Sequence, residues 1–315
     1  MNNWSIPNRT ISLIIPVYNS GKLLPALLKK IKYQSVKTEL VIIDSSSTDD
    51  SPQIASSLGA RVISIPKADF NHGGTRTLAG KEAKGEILVY MTQDAMPADN
   101  KAIEGLIRSF DDDPLTGAVY GRQLPTPDAT PFSAHLRLFN YGEEPYKRSI
   151  ADRSRFGLRT IFFSNSFAAY RRSALEQVGW FEDSLICNED THVVAKLLAG
   201  GFKIAYEPLA KVFHSHNYTP LEEARRYFDI GVFYTSENWI LDQFGGVGGE
   251  GLRFIKSHIS FLAKSGKLHL IPEMVLRNGL KLLFYKLGRN YRRLPKGLIP
   301  FLSMHRPWWV KQKLT

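Results

Sequence analysis

The sequence predicts an α/β fold in which a mostly parallel central sheet is covered by helices on both faces. Nearly continuous apolar runs alternate with helix-like runs over the first hundred residues, and this alternation is typical of parallel sheets. The apolar runs are TISLIIPVYN, TELVIID, RVISIP and EILVYM, and the first helix-like run is GKLLPALLKKIKYQ. Open sheets of this class bind ligands at the carboxyl ends of their strands, so we look for function there.

The later part of the chain continues the pattern less regularly. A helix is predicted in NKAIEGLIRSFDDD and a strand in TGAVYGRQL, whereas residues 125–165 are predicted to be irregular. NSFAAYRRSALEQVGWF predicts a strand and a short helix, NEDTHVVAKLLAGG a helix, and FKIAYEP and AKVFHSHN two separate strands. From Pro220 onward the pattern becomes mainly helical.

The composition is that of an ordinary globular protein and excludes several classes. Of the 315 residues, 43% are hydrophobic and 23% are charged. A single cysteine, Cys187, excludes an internal disulfide framework and a multi-cysteine zinc site. We read no secretory signal at the N-terminus and no apolar run near the roughly 20 residues that a membrane span needs. These features predict a cytoplasmic protein.

The net charge of +11 is concentrated in the last fifth of the chain. Residues 252–315 contain 14 Lys and Arg but a single acid, Glu273, whereas the preceding residues are close to neutral. Such asymmetry indicates a polyanionic partner, which is either an acidic membrane surface or nucleic acid.

Two carboxylates end predicted strands. Asp44 ends the second strand in VIIDSSSTDD, and Asp94 follows the fourth in ILVYMTQD. An aspartate at such a position often caps a turn; alternatively, Asp44 contacts a nucleoside, and Asp94 holds a divalent cation whose other ligands are phosphate oxygens and water. Their positions on neighbouring strands favour a shared site.

Three further groups of residues carry possible chemistry. FNHGGTR places His72 and Arg76 around two glycines, but it matches neither the dinucleotide-binding nor the P-loop fingerprint. Glu189 and Asp190 begin a predicted helix, where acids either complement the helix dipole or serve as a general base. His214 and a second histidine form an HxH pair that is either structural or, beside a phosphate-bound cation, a ligand.

Taken in order, residues 10–220 resemble the inverting family-2 glycosyltransferases, which have a GT-A fold. ISLIIPVYN is similar to the family's opening strand, DSSSTD to its DDGSTD turn, and TRT to its ARN stretch with Arg76 matching and Thr77 departing. TQD keeps only the last aspartate of the DxD motif, Asp94, whereas the ED motif is intact at Glu189 and Asp190. His214 matches the histidine that often follows the next strand.

A closer resemblance is to bacterial rhamnosyltransferases of O-antigen and capsule assembly, carried by DFNHGGTR, TQDAMP and VFHSHNYT. It implies a deoxythymidine-diphosphate (dTDP) sugar, dTDP-L-rhamnose, as donor and a polyprenyl-diphosphate-linked saccharide as acceptor. We expect a catalytic domain over residues 1–220, with a donor half at about 10–100 and an acceptor half at about 115–220. A basic helical region over residues 221–315 follows.

The resemblance also implies the roles of individual residues. Asp190 is the general base, Glu189 lies on the acceptor side, and Mg²⁺ or Mn²⁺ is held by Asp94 and His214. The residues expected to bind the donor are Pro16, Tyr18, Asp44, His72, Arg76, Gln93 and Asp94. The reduced DxD motif leaves His214 and the diphosphate to supply more of the coordination shell.

The basic tail predicts a contact with an anionic membrane, on the cytoplasmic face of the inner membrane. Apolar residues at helical spacing stand beside Arg277, Lys281 and Lys286, and Trp308 and Trp309 suit the lipid headgroup layer. The apolar residues are Leu276, Leu280, Leu283, Phe284 and Leu287. The alternative is a helix packed on the catalytic domain with its lysines in water.

Other functions account for fewer of these features. No nucleic-acid partner is expected, because carboxylates at the strand ends repel phosphate unless a metal intervenes. A nucleotidyltransferase lacks support, because no glycine-rich, lysine-bearing triphosphate loop stands near the start of the chain. A glycosyltransferase with a different hexose donor, or a non-catalytic binding module, remains an alternative.

Overall fold

A computed structural model of the chain describes residues 9–246 and 249–312 and has the predicted α/β architecture. Within these residues, one sheet contains every strand. The strands are β1 (Ile11–Val17), β2 (Glu39–Asp44), β3 (Arg61–Ser64), β4 (Ile87–Met91), β5 (Met96–Pro97), β6 (Thr116–Leu124), β7 (Tyr146–Arg148), β8 (Phe167–Arg171) and β9 (Lys203–Phe213).

The sheet has the order β3-β2-β1-β4-β8-β6-β9-β5. β7 pairs with the first half of β9, whereas β5 pairs with its end. β3, β2, β1 and β4 are parallel, as are β6 and β9. β8 runs antiparallel to both of its neighbours and therefore joins two parallel groups into one sheet. The carboxyl ends of β2, β1 and β4 thus lie side by side at one edge.

The sheet is buried on both faces. Successive side chains of a strand point to opposite faces, and here the side chains on both faces are apolar. In β1, Leu13 and Ile15 pack into one core and Ile14 into the other, and all three are fully buried. Every residue of β4 is buried as well. This two-sided burial fixes the strand ends that carry the site.

Helices cover both faces of this sheet, and after residue 219 they are the regular elements of the part of the chain that the structure describes. They are α1 (Leu24–Lys32), α2 (Ser51–Ser57), α3 (His72–Glu82), α4 (Ala102–Arg108), α5 (Pro131–Asn140), α6 (Arg153–Phe156), α7 (Arg172–Gln177), α8 (Glu189–Ala199), α9 (Pro220–Ser236), α10 (Asn238–Phe244), α11 (Glu250–Lys264), α12 (Ile271–Arg289), α13 (Ile299–Leu302) and α14 (Arg306–Lys311). Among the described residues, none of these helices is both long and apolar enough to cross a bilayer.

Two predictions of local structure are wrong. Residues 125–165 are not irregular, because they contain α5, β7 and α6; the Thr130 side chain caps α5 by accepting from the Ser133 N–H, and Pro131 occupies its first turn. The two strands predicted between residues 202 and 217 are one strand, β9. Its register against β6 shifts at Pro208 without ending the strand, because a bulge absorbs the extra residues.

The C-terminal helices share a core with the sheet. Phe228 of α9 and Trp309 of α14 are fully buried in the same cluster as Tyr120 of β6. α9 and α12 cross at two glycines, since a side chain on Gly288 would collide with the Phe228 carbonyl oxygen. The sheet lies between residues 11 and 213, as expected for the catalytic domain, but a boundary at residue 220 stays a prediction.

This packing corrects part of the predicted membrane contact. Trp309 lies in the core and not at a headgroup layer, because its ring packs between Phe228 and Tyr291. Arg277 and Lys281 are also buried, and both form ion pairs with Glu223 of α9. These groups are therefore not free to meet lipid. Lys286 is exposed, as predicted, and residues 313–315 of the tail lie outside the described residues.

Candidate functional site

The ends of β2, β1 and β4 are joined directly by hydrogen bonds. Asp44 at the end of β2 pairs in register with Val17 at the end of β1. The Gln93 side chain, which follows β4, accepts from the Tyr18 N–H at 2.9 Å and donates to the Tyr18 carbonyl oxygen at 3.3 Å. Asp94 is the next residue, so Asp44 and Asp94 lie on one rim of the sheet.

The same rim continues to Asp190. The Thr92 N–H donates to the Ser166 carbonyl oxygen at 3.2 Å, which joins the end of β4 to the residues before β8. One residue earlier, the Asn165 N–H donates to Asp190 Oδ2 at 3.2 Å. Asp44, Asp94 and Asp190 are far apart in the chain, but a continuous series of hydrogen bonds connects the segments that carry them.

Asp44 and its neighbours form the far end of the rim. The Asp44 carboxylate is buried and accepts from both the N–H and the hydroxyl of Ser47, so it caps the turn after β2. Pro16 lies in β1, and the half-exposed Tyr18 ring contacts the Lys67 ammonium 4.4 Å from its centroid. The predicted contacts of Pro16, Tyr18 and Asp44 with the donor remain predictions.

Asp94, His214 and His216 form a cluster whose ligand atoms all lie within 4.8 Å of one another. The Nε2 atoms of His214 and His216 are 3.4 and 3.8 Å from the Asp94 oxygens. Burial, aided by the charge of His214, lowers the pKa of His216 to about 4, so this imidazole is neutral at pH 7. For Asp94, burial acts to raise the pKa, but the hydrogen bond and charge of His214 lower it overall.

Gln123 of β6 sets the tautomer of His214. Arg137 can only donate, and it donates to Gln123 Oε1, so the amide oxygen faces Arg137 while the amide nitrogen donates to Ser164 Oγ at 2.9 Å. The same oxygen lies 2.9 Å from His214 Nδ1, which must therefore carry the proton. Nε2 of His214 faces Asp94, and this arrangement, with Nδ1 held by a second group, is that of a histidine oriented to bind a metal.

The cluster fits a divalent cation. A histidine that binds a metal through Nε2 carries no proton on that nitrogen. In that form Nε2 of His214 and the Asp94 carboxylate can only accept, so a cation between them gives both groups a partner. His216, which the sequence offered only as half of an HxH pair, completes the set. The residues that directly follow β9 supply both histidines.

Glu189 and Arg76 form a buried ion pair beneath the rim. Arg76 Nη1 lies 3.0 Å from Glu189 Oε1, and both side chains are almost fully buried. Arg76 also donates to the His72 carbonyl oxygen, and Glu189 accepts from the Asn165 amide at 3.2 Å. Burial acts to raise the pKa of Glu189, but the charge of Arg76 lowers it overall. Their predicted donor and acceptor contacts remain predictions.

The glycines of the FNHGGTR segment act in packing. A side chain on Gly73 would collide with the Glu182 carbonyl oxygen, so α3 approaches that loop closely at its first turn. His72, at the start of α3, packs edge-on against Phe70 and His305, with ring centroids 5.2 and 5.3 Å away. A donor contact by His72 remains a prediction.

Asp190 is an oriented carboxylate with a raised pKa. Its Oδ2 accepts from the Asn165 N–H, and its Oδ1 accepts from the Thr191 N–H at 2.7 Å. Burial, together with the negative charge of Glu189, raises the pKa of Asp190 to about 6 despite these hydrogen bonds. A carboxylate poised near neutral pH suits a general base.

A comparison with protein families agrees with this geometry. Residues 12–179 match the family model described as glycosyl transferase family 2. The chain belongs to that family. It is therefore a glycosyltransferase, and the family inferred from its motifs is confirmed.

Relatives within family 2 resemble the chain over nearly its whole length. It is 46% identical over 302 residues to the O-antigen chain rhamnosyltransferase RfbN of Salmonella typhimurium, covering 95% of this chain and 96% of the relative. It is 44% identical over 306 residues to the O-antigen chain rhamnosyltransferase WbaN of Salmonella anatum, with the same coverages.

Solved glycosyltransferase structures share the fold. The mannosyltransferase PcManGT from Pyrobaculum calidifontis, in complex with GDP-Man and Mn²⁺, is 20% identical with a TM-score of 0.58 and covers 97% of this chain and 87% of its own. Residues 1–349 of S. aureus TarS are 20% identical with a TM-score of 0.54 and cover 97% and 89%. The predicted GT-A fold is confirmed.

Sequence reasoning missed the residues that orient the site. Asn165 contacts both acids of the ED motif, and the Tyr170 hydroxyl in turn donates to its side-chain oxygen at 2.6 Å. Gln123 looks like an ordinary strand residue in TGAVYGRQL. One weak signal was available for Asn165 and Gln123. A side-chain amide in or beside an apolar strand is expected to be buried, and a buried amide must find hydrogen-bond partners.

Proposed function

We propose that this family-2 glycosyltransferase moves L-rhamnose from dTDP-L-rhamnose to a hydroxyl of a polyprenyl-diphosphate-linked saccharide during O-antigen assembly. The observation that carries the proposal is the 46% identity to RfbN over 95% of the chain. The site supports it, because a candidate cation cluster and a candidate base lie on one rim of the sheet.

The donor is proposed to bind along the ends of β1, β2 and β4. In this proposal the nucleoside binds beside Asp44 and Tyr18, and Pro16 and Gln93 also contact the donor. Their positions support it, because Asp44 pairs in register with the end of β1 and Gln93 is hydrogen-bonded to Tyr18. Asp94 and His214, with His216, would hold Mg²⁺ or Mn²⁺ against the diphosphate. When bound, the cation supplies positive charge that stabilises the leaving nucleoside diphosphate. Two imidazoles among the ligands favour Mn²⁺ over Mg²⁺.

Asp190 is proposed to act on the acceptor. Its carboxylate removes the proton from the acceptor hydroxyl as that oxygen attacks the anomeric carbon of the donor. The bond from this carbon to the diphosphate oxygen breaks on the opposite face, so the configuration inverts and dTDP leaves with the electron pair. Glu189 is proposed to serve the acceptor side by keeping Asp190 in place, since Asn165 binds both acids.

A panel of sugar nucleotides tests the donor. The purified protein is incubated with Mn²⁺, a lipid-linked saccharide acceptor and, one at a time, dTDP-L-rhamnose, UDP-GlcNAc, UDP-Gal and GDP-Man. We expect transfer from dTDP-L-rhamnose alone, and thermal stabilisation by dTDP but not by GDP. Transfer from another donor with none from dTDP-L-rhamnose would overturn the rhamnosyl assignment.

We also propose that the C-terminal region meets an anionic membrane through α12, at the cytoplasmic face of the inner membrane. Val275, Leu276, Leu282 and Leu283 are exposed, and because they recur seven residues apart they share one helical face. Lys286 is exposed on the next turn. Apolar side chains beside lysine suit the boundary between headgroups and acyl chains, where a lipid-linked acceptor is reached.

A further inference from the structure

Arg226 of α9 is a cation without a partner. Among residues 9–246 and 249–312 it forms no ion pair and no hydrogen bond, and its side chain is exposed to solvent. The preceding residue, Arg225, by contrast donates to the Phe301 carbonyl oxygen at 3.0 Å. An unpaired arginine on an open surface is common and indicates no function. The position of Arg226 relative to the site is therefore what matters.

The geometry of α9 directs Arg226 toward the site. Arg226 and Phe233 are seven residues apart, which is two turns, so they share one face of the helix. Phe233 lines a cavity together with Leu185 and Ile186. One turn after Arg226, Asp229 accepts from the His305 N–H at 3.1 Å, and the His305 ring packs on His72, so this part of α9 lies beside the start of α3.

Arg226 lies within electrostatic reach of charged groups of the site. Burial is the main cause that lowers the pKa of His72, His216 and His305, and the positive charge of Arg226 adds to it for each histidine. Asp190 is in turn among the groups whose negative charge outweighs burial and raises the pKa of Arg226. Arg226 is therefore open to solvent and close to the acids and histidines of the site.

We propose that Arg226 binds the diphosphate of the sugar-nucleotide donor between Asp190 and His216. This assignment rests on the proposed function. The anomeric carbon must lie beside Asp190, and the cluster of Asp94, His214 and His216 lies at the other end, so the diphosphate spans the space that Arg226 faces. A guanidinium binds phosphate oxygens through two parallel hydrogen bonds.

The charge of the reaction gives Arg226 its role. When the bond between the anomeric carbon and the diphosphate oxygen breaks, the electron pair passes to that oxygen and negative charge grows on the diphosphate. A fixed cation that meets this charge stabilises the transition state more than the ground state. Arg226 therefore helps departure of the nucleoside diphosphate as well as its binding.

Calorimetric titration of dTDP and of thymidine, in Mn²⁺, tests the contact. Arg226→Ala should weaken dTDP binding about 10-fold or more, as expected for hydrogen bonds to a charged group. Thymidine lacks the diphosphate, so its affinity should stay within about twofold of the wild-type value. Arg226→Gln, which keeps the size of the side chain, should act like Arg226→Ala, and Arg225→Ala is the matched control that should leave dTDP affinity unchanged.

Three results would overturn the assignment. They are unchanged dTDP affinity in both Arg226 variants, an equal loss of dTDP and thymidine binding, or weakened binding of farnesyl diphosphate with dTDP unaffected, which would place the acceptor's diphosphate there instead. UDP and GDP are titrated in parallel. If the wild-type protein prefers one of them to dTDP, the donor proposal fails, while the effect of Arg226→Ala on the preferred nucleotide still tests this contact.

Discussion

Asp190 owes its chemistry to its nearest neighbours. Backbone N–H groups of Asn165 and Thr191 hold its two oxygens, while burial and the charge of Glu189 oppose its ionisation. The charge of Arg76 lowers the pKa of Glu189, so Glu189 stays ionised. Asp190 instead titrates near neutral pH. The two adjacent acids thus differ in the direction of their pKa shifts, which the ED motif alone does not show.

The raised pKa of Asp190 predicts an acid limb in the rate of transfer. A general base acts in its ionised form, so if Asp190 is the base, kcat/KM should be constant above a pH of about 6 and fall about tenfold per pH unit below it. Initial rates between pH 5 and 8, with the fold followed by circular dichroism, measure this limb. A rate that stays constant down to pH 5 would exclude a base with this pKa.

Gln123 predicts a second effect at the residue scale. Gln123→Leu removes the acceptor that holds the proton of His214 on Nδ1, so Mn²⁺ affinity should fall about 10- to 100-fold. Calorimetric titration of Mn²⁺ measures this change, with His214→Ala as the reference for loss of a ligand. Gln53→Leu, an exposed change on α2, is the control. Equal Mn²⁺ affinity in the Gln123 variant and the control would contradict the tautomer assignment.

The strand-end aspartates could be predicted from the sequence because their cause is local. An apolar run that ends on a carboxylate, as at Asp44 and Asp94, marks a strand end whatever the rest of the chain does. Gln123 and Arg226 could not be predicted, because their importance depends on partners about 90 residues away or on the direction of one helix face.

At the scale of elements, β9 shows why one strand was predicted as two. Pro208 lacks an N–H and predicted the end of a strand, but the bulge at this position lets the pairing with β6 resume at Lys211. The resumed strand carries His214 to the rim, where its N–H donates to the Leu124 carbonyl oxygen at 2.9 Å.

The C-terminal helices return to the catalytic part of the chain. Asp229 of α9 is buried and accepts from the Ser303 hydroxyl at 2.6 Å and from the N–H groups of Met304 and His305 at 2.9 and 3.1 Å. His305 then packs on His72 at the start of α3. Since sequence periodicity describes one helix at a time, it could not distinguish this packing from a membrane contact.

Trp309 predicts how much this packing contributes. Trp309→Ala should lower the free energy of unfolding by about 3–5 kcal/mol, because it empties a fully buried site in α14. Urea unfolding followed by tryptophan fluorescence and circular dichroism measures the loss. The exposed neighbour provides the control, since Val310→Ala should change stability by less than about 0.5 kcal/mol. If both variants unfold alike, Trp309 does not belong to the core.

At the scale of the whole molecule, two surfaces differ in their composition. The rim of the sheet presents acids and histidines, whereas α12 presents exposed leucines with Lys286. The excess of positive charge predicted a surface contact, but the structure shows that part of it, at Arg277 and Lys281, neutralises Glu223 inside the protein. Composition alone could not separate these two uses of the same residue types.

Liposome flotation tests the proposed membrane face. Leu276→Gln combined with Leu283→Gln should reduce flotation with anionic vesicles several-fold, because each buried leucine contributes roughly 1.5–3 kcal/mol. Leu209→Gln, at an exposed leucine on β9, should float like the wild type. Equal flotation of the double variant and the wild type would reject α12 as the contact.

The most direct test of the account is the behaviour of Asp190→Asn. Single-turnover transfer and calorimetric binding of dTDP-L-rhamnose are measured on this variant, on the wild type and on Asp183→Asn, an exposed acid in the preceding loop. We expect transfer by Asp190→Asn to fall at least about 100-fold, donor affinity to stay within about threefold, and the control to resemble the wild type. Transfer at a near-normal rate by Asp190→Asn would contradict the central claim that this carboxylate is the base.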